Sequence, residues 1–211
     1  MKKNNNWIYP VAFITLIIFW KFSTDEKLEP NPKIEVYNSS IESIIDINSE
    51  IEVLADSIAL PEGPLWDESS NSLLFVDVMG NKIYKWNESD GVSEFISPSG
   101  NTGYAPNIDF GLLGANGLVF NNEGDIIVCQ HGDRRIASID NTASSSPNFI
   151  TVVDNFEGKK FNSPNDLVFA NDGSFYFTDP SFGFFNLETF QFVEDEVKKL
   201  DFNGVYNFNP N

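Results

Sequence analysis

Residues 161–183 read FNSPNDLVFANDGSFYFTDPSFG, and the pattern inside this stretch decides the fold. The polar pair Asn165-Asp166 leads into the apolar Leu167-Val168-Phe169. The turn residues Asn171-Asp172-Gly173 follow, and then the alternating run Phe175-Tyr176-Phe177-Thr178-Asp179. Short β-type runs punctuated by Asn, Asp and Gly read as antiparallel strands joined by tight turns. The same order occurs twice upstream. Glu62-Gly63-Pro64-Leu65-Trp66 precedes a turn at Glu68–Asn71 and the run Leu73–Asp77. Asn116-Gly117-Leu118-Val119-Phe120 precedes a turn at Asn122–Gly124 and the run Ile126–Gln130. Third runs follow at Ile83–Trp86, Ile136–Ile139 and Val205–Phe208, and fourth runs at Ser93–Ile96 and Phe149–Val153.

The repeat starts, at positions 62, 116 and 165, lie about 50 residues apart. Four short antiparallel strands in each such interval predict the blades of a β-propeller, so the fold class is all-β. From Ile51 onward no helical periodicity rivals this pattern; the one helix-compatible piece is Glu194–Leu200, EDEVKKL, inside an insertion before the last run. Residues 51–211 hold about three repeats, whereas propellers close with roughly 4–8 blades. The expectation is a partial propeller that stops short of a closed ring.

Upstream of the repeats the texture changes. Met1-Lys2-Lys3 is basic and is followed by the uncharged run WIYPVAFITLIIFW from Trp7 to Trp20. As a helix these 14 residues would reach roughly 21 Å at ~1.5 Å each, short of a ~30 Å hydrocarbon core. Such a segment predicts export, either as a signal peptide or as a membrane anchor over residues 1–22. No small-x-small cleavage site follows it, and both readings stay open. Residues 23–50 are polar and acidic, broken by Glu29-Pro30-Asn31-Pro32, and read as a spacer. The domain from 51 onward is then expected outside the cytoplasm, periplasmic or secreted, or held at the membrane by residues 7–20.

The net charge of −18 argues against nucleic-acid binding, because an acidic surface repels phosphate. It tolerates divalent cations. Cys129 is the only cysteine and His131 the only histidine, so no internal disulfide, multi-cysteine zinc site or two-histidine relay can form within the chain. Cys129 ends the apolar run Ile126–Cys129 and reads as a small buried hydrophobe. No nucleophile elbow, Cys/His pair, zinc-protease motif or phosphate loop occurs. Gly111–Gly117, GLLGANG, lacks dinucleotide spacing.

Taken together, LPEGPLW (60–66), GANGLVF (114–120), VCQHGDRRI (128–136), FNSPNDLVFANDGSFYFTDPSFG (161–183) and KKLDFNGVYNF (198–208) resemble the gluconolactonases. That family includes senescence-marker protein and luciferin-regenerating enzyme. The resemblance implies a six-bladed propeller with a divalent cation, commonly Ca²⁺, in its central channel. It implies a hydrolase that opens a sugar lactone, or a similar cyclic ester, with water. Glu62 matches the family's ligand glutamate in its EGP-x-W motif. Asn165, in SPND, matches the asparagine that faces metal and substrate. In the animal members an arginine lies two residues before that asparagine; here the position is Ser163, so substrate contacts should differ. The family's further asparagine ligand and its aspartate, ligand and base, would belong to blades beyond Asn211. The chain alone is therefore expected to be incomplete as a catalyst.

The residues themselves suggest further roles. Asn116 occupies the same register as Glu62 and Asn165 and reads either as turn chemistry or as a substrate contact. Asp166 could orient Asn165 during catalysis. His131, after a strand end, could contact substrate or relay a proton. Arg134 could bind a carboxylate or a sugar hydroxyl. Two other classes compete with the lactonase reading: a non-catalytic propeller that binds a small molecule or protein, and an inactive gene remnant.

Overall fold

The computed structural model describes residues 34–106, 111–140, 148–193 and 198–210. The proposed leader at 1–22, the start of the spacer and most of Glu194–Leu200 lie outside the described residues; Lys198–Leu200 have no regular structure. The chain divides into two units, Met1–Val53 and Leu54–Asn211. In the first, a 3-10 turn spans Ser39–Ser43, capped by the Asn38 side chain, which accepts from the Ser40 amide at 2.9 Å.

The second unit is all-β. A four-stranded sheet runs β1 (Pro61–Asp67), β2 (Ser72–Asp77), β3 (Lys82–Asn87), β4 (Gly91–Ile96). A second repeats the order with β5 (Ala115–Phe120), β6 (Ile126–Gln130), β7 (Arg135–Asp140) and β8 (Asn148–Val153). A short hairpin follows, β9 (Asn155–Phe156) with β10 (Lys159–Lys160). The third sheet takes β11 (Leu167–Phe169) and β12 (Phe175–Asp179), then β15 (Gly204–Phe208). Its insertion carries the hairpin of β13 (Phe185–Asn186) and β14 (Gln191–Phe192). All pairs are antiparallel and join neighbours in sequence within each sheet, apart from the β12–β15 step across the insertion. The predicted strands and their order are those observed.

The sheets stack through two cores. Leu74, Val76 and Val78 of the first sheet meet Leu118, Ile126 and Val128 of the second. Ile127, Cys129 and Ile136 of the second sheet meet Phe161, Leu167, Phe175 and Phe177 around the third. Alternate residues of β6 thus serve opposite cores, which is why IIVC is apolar without a break: the middle sheet is covered on both faces. The third sheet instead alternates, with Phe175 and Phe177 buried while Tyr176, Val168 and Val205 are exposed on the other face. Cys129 is fully buried, as its apolar neighbours predict.

The last residue of each second strand holds the backbone that leads into the first strand of its sheet. Asp77 accepts from the Leu60 amide at 3.1 Å. Gln130 donates to the Ser99 carbonyl at 2.7 Å, and the Ser99 hydroxyl accepts from the Ala115 amide at 3.1 Å. Asp179 accepts from the Asn162 and Ser163 amides, each at 2.8 Å. In each sheet a buried polar side chain at the end of the second strand thus holds this lead-in, directly for Asp77 and Asp179 and through Ser99 for Gln130.

Candidate functional site

The first strands converge through glycine. Gly63, at φ +53°, lies so close to the next sheet that a β-carbon there would stand 2.1 Å from the Asn116 carbonyl oxygen. Gly117 repeats the arrangement one sheet on, donating its amide to the Asn165 carbonyl at 2.7 Å. Glu62, Asn116 and Asn165 thus come together at the starts of three successive sheets. In β1 and β5 the pairing is interrupted here, between Glu62 and Leu65 and between Ala115 and Leu118. Bulges of this kind turn a side chain out of the regular alternation. Asn165 precedes its strand and is held by its amide on the Thr178 carbonyl at 2.8 Å.

His131 joins the two asparagines. Its ring is 1% exposed, and Nδ1 lies 2.9 Å from the Leu112 carbonyl oxygen. That oxygen can only accept, so Nδ1 carries the proton. Nε2 is then a bare acceptor in the neutral ring, and the Nδ2 atoms of Asn116 and Asn165 approach it at 3.4 and 3.5 Å. Burial pulls the His131 pKa down to about 4, against the opposing effect of the Leu112 carbonyl. At neutral pH the ring is uncharged and set behind the two amides.

The remaining candidates make other contacts. Arg134 is 1% exposed and donates through Nε to the Phe161 carbonyl at 2.6 Å, with its guanidinium 5.2 Å above the Phe184 ring. The Asp166 carboxylate accepts from the Leu167 amide at 2.9 Å, and no hydrogen bond between its side chain and that of Asn165 occurs among the described residues. Ser163 is fully buried; its hydroxyl donates to the Pro180 carbonyl and accepts from the Gly183 amide at 2.9 Å. A long cationic side chain has no room there without rebuilding that turn. A cleft of about 670 Å³ lies at the far ends of β1 and β5 near Asp67, Lys85 and Asp125, and is lined by none of the candidate residues.

Sequence reasoning missed the Leu112 carbonyl, which sets the histidine tautomer, because a backbone group leaves no mark on residue choice. It also missed Asp179. Burial raises this carboxyl to about 7, against the Asn162 and Ser163 amides and the charges of Arg134 and Lys198, which lower it. A folded value above the unfolded one means that the folded chain holds the proton more tightly between about pH 4 and 7. Stability from this group is therefore full below about pH 4 and falls as pH rises through 7, by at most about 1.4 kcal/mol per unit. Melts of the wild type should show that decline, and Asp179→Asn should flatten it. An unchanged slope in the variant would refute the assignment.

Among the described residues no cluster of three or more His, Cys, Asp and Glu side chains is placed to hold a metal ion. The candidate donors on the three converging sheet starts are one carboxylate, Glu62, and the carboxamides of Asn116 and Asn165, of which the two carboxamides meet at His131. These are hard oxygen ligands of the kind calcium takes, with a single formal charge among them.

Comparison with known proteins follows the same lines. Residues 60–208 match the sequence profile of the SMP-30/gluconolactonase/LRE-like region. A gluconolactonase of Zymomonas mobilis is 39% identical over 178 residues, which cover 84% of this chain and 48% of that protein. A regucalcin of Gallus gallus is 42% identical over 43 residues, covering 20% of this chain and 14% of its own. The solved gluconolactonase of Xanthomonas campestris superposes with a TM-score of 0.66 at 26% identity, covering 85% of this chain and 53% of that one. The chain spans about half the length of the Zymomonas mobilis and Xanthomonas campestris proteins.

Proposed function

The chain belongs to the SMP-30/gluconolactonase/LRE-like family, and from that premise we propose that its sheet starts form part of the site of a metal-assisted lactone hydrolase. Glu62 and Asn165 would hold a calcium ion or another divalent cation, with Asn116 beside them. Asn116 and Asn165 would also contact the lactone. A cation bound there supplies Lewis-acid polarisation of the lactone carbonyl, which favours attack by water. The observation that carries this reading is the meeting of the Asn116 and Asn165 amides at His131, with Gly63 of the β1 bulge packed against the Asn116 carbonyl.

The neutral, buried His131 is poorly suited to relay a proton at physiological pH. Its role is to hold the amides rather than to carry charge. The reading assigns no step to Arg134, whose Nε donates to the Phe161 carbonyl, or to Asp166, one oxygen of which accepts from the Leu167 amide.

The test is hydrolysis of a gluconolactone followed by acid release, with calcium and with a chelator. It is run on this chain and on a fusion to the second half of the Zymomonas mobilis relative, because the chain spans 48% of that protein. Calcium-dependent turnover by the fusion, at least about a hundredfold above that of the chain alone, is expected, since oriented, fixed groups dominate such catalysis. Turnover that ignores both calcium and chelator would overturn the proposal.

Export is proposed from the basic start and the Trp7–Trp20 run. No helix among the described residues is long and apolar enough to cross a membrane. Removing residues 1–22 should shift the product to the cytosolic fraction; full-length chain found in that fraction would contradict export.

A further inference from the structure

We propose that His131 is a positioning residue whose bare Nε2 turns the amides of Asn116 and Asn165 so that both carboxamide oxygens point away from the ring and stand free for a cation or substrate. The inference rests on the functional reading above for its purpose, but its geometry stands by itself.

The backbones of the two asparagines are tied together, since the Gly117 amide donates to the Asn165 carbonyl at 2.7 Å. What remains free is the last torsion of each side chain, which is broad and roughly two-fold for an amide. One orientation places Nδ2 toward His131 and the other places Oδ1 there. Nδ1 of the ring is committed as a donor to the Leu112 carbonyl at 2.9 Å. Nε2 therefore offers a lone pair, and an approaching Oδ1 would set two acceptors against each other in a buried site. Donation by Nδ2 is the arrangement observed, at 3.4 Å from Asn116 and 3.5 Å from Asn165. Among the described residues no hydrogen bond uses the Oδ1 of either asparagine. One edge of each amide is held and the other is unused. One imidazole thus sets two amides, on two different sheets, in the sense that a hard cation requires.

The experiment begins with the wild-type chain, because it needs no variant. A long-range ¹H–¹⁵N spectrum should show His131 protonated at Nδ1 and bare at Nε2; a ring protonated at Nε2 overturns the proposal. Two variants follow, read by calcium titration and by the side-chain amide resonances of Asn116 and Asn165. His131→Leu fills the space without an acceptor and should weaken calcium binding about tenfold or more, the usual effect of losing a group that orients ligands. His131→Gln can place Oε1 where Nε2 was and should stay within about threefold. Both amide pairs should shift in His131→Leu and return toward wild type in His131→Gln. Folded His131→Leu with unchanged affinity and unchanged amide resonances would sink the inference. Should the wild type bind no calcium, the metal reading falls, while the tautomer and the amide resonances still decide the positioning role.

Discussion

Gly63→Ala is expected to destabilise the second unit by about 3 kcal/mol or more, whereas Gly91→Ala should cost about 1 kcal/mol. Both glycines have positive φ, +53° and +68°. An alanine at either pays the same left-handed strain, on the order of 1 kcal/mol. The two differ in what a β-carbon meets. At Gly91 nothing lies within 4 Å, while at Gly63 the Asn116 carbonyl oxygen stands at 2.1 Å and its carbon at 3.1 Å. That obstacle is backbone on a neighbouring sheet, so it cannot swing aside as a side chain would. Relief requires the first and second sheets to part where Leu74, Val76 and Val128 are sealed. Close-packed interiors resist such movement. For a unit of this size about 1 kcal/mol shifts the midpoint by roughly 2–4 °C, so thermal melts should separate the variants by several degrees. Equal losses at both positions would show that strain, and not the approach of the sheets, sets the demand for glycine.

The fold was legible because each sheet repeats the same local grammar. Turn residues at Asn71, Gly124 and Gly173 take positive φ, which Asn and Gly tolerate, and the runs between them have strand periodicity. The contrast between IIVC and FYFT even reports which sheet is covered on both sides. The small hairpins at Asn155–Lys160 and Phe185–Phe192 escaped, since two-residue strands carry no periodicity to read. The extent of Pro61–Asp67 as one strand was also partly hidden. Gly-Pro at 63–64 reads as a turn, whereas the chain accommodates it as a bulge at the strand start.

The site was legible in register and illegible in detail. Glu62, Asn116 and Asn165 occupy equivalent positions of a repeat, and equivalent positions of stacked sheets converge. Whether a polar side chain at such a position faces the site depends on tertiary contacts that no local pattern encodes. Arg134 and His131 are three residues apart in one polar stretch, yet one supports the Phe161 carbonyl and the other supports two asparagines. Asp179 ends a run that reads like that of Asp77, and both hold a lead-in backbone. Burial raises Asp179 to about 7, which nothing in its own run signals.

Glu62→Gln is expected to leave the calcium-free chain as stable as the wild type and to remove most of the stabilisation that calcium confers. The Glu62 side chain is exposed, and no hydrogen bond or ion pair among the described residues uses its carboxylate. Substitutions at such positions usually stay within about 0.5 kcal/mol. Removing one acidic charge from a chain of net −18 also eases self-repulsion. A carboxylate kept without a partner in so acidic a chain is the arrangement expected of a ligand, where stability yields to function. With calcium the balance reverses. Glutamine keeps an oxygen but sheds the only formal charge among the three proposed donors, and calcium affinity follows ligand charge. At a calcium concentration about 100 times the wild-type dissociation constant, binding adds about 2.7 kcal/mol, or roughly 5–11 °C in the melting midpoint. A loss of affinity between about tenfold and a hundredfold would leave only about 1.4 to 0.4 kcal/mol in the variant at that same concentration. Calorimetric melts of both proteins, with calcium and with chelator, give all four values. Equal calcium shifts in the two proteins would remove Glu62 from the ligand set. A calcium-free variant markedly less stable than wild type would mean that the carboxylate serves the fold instead.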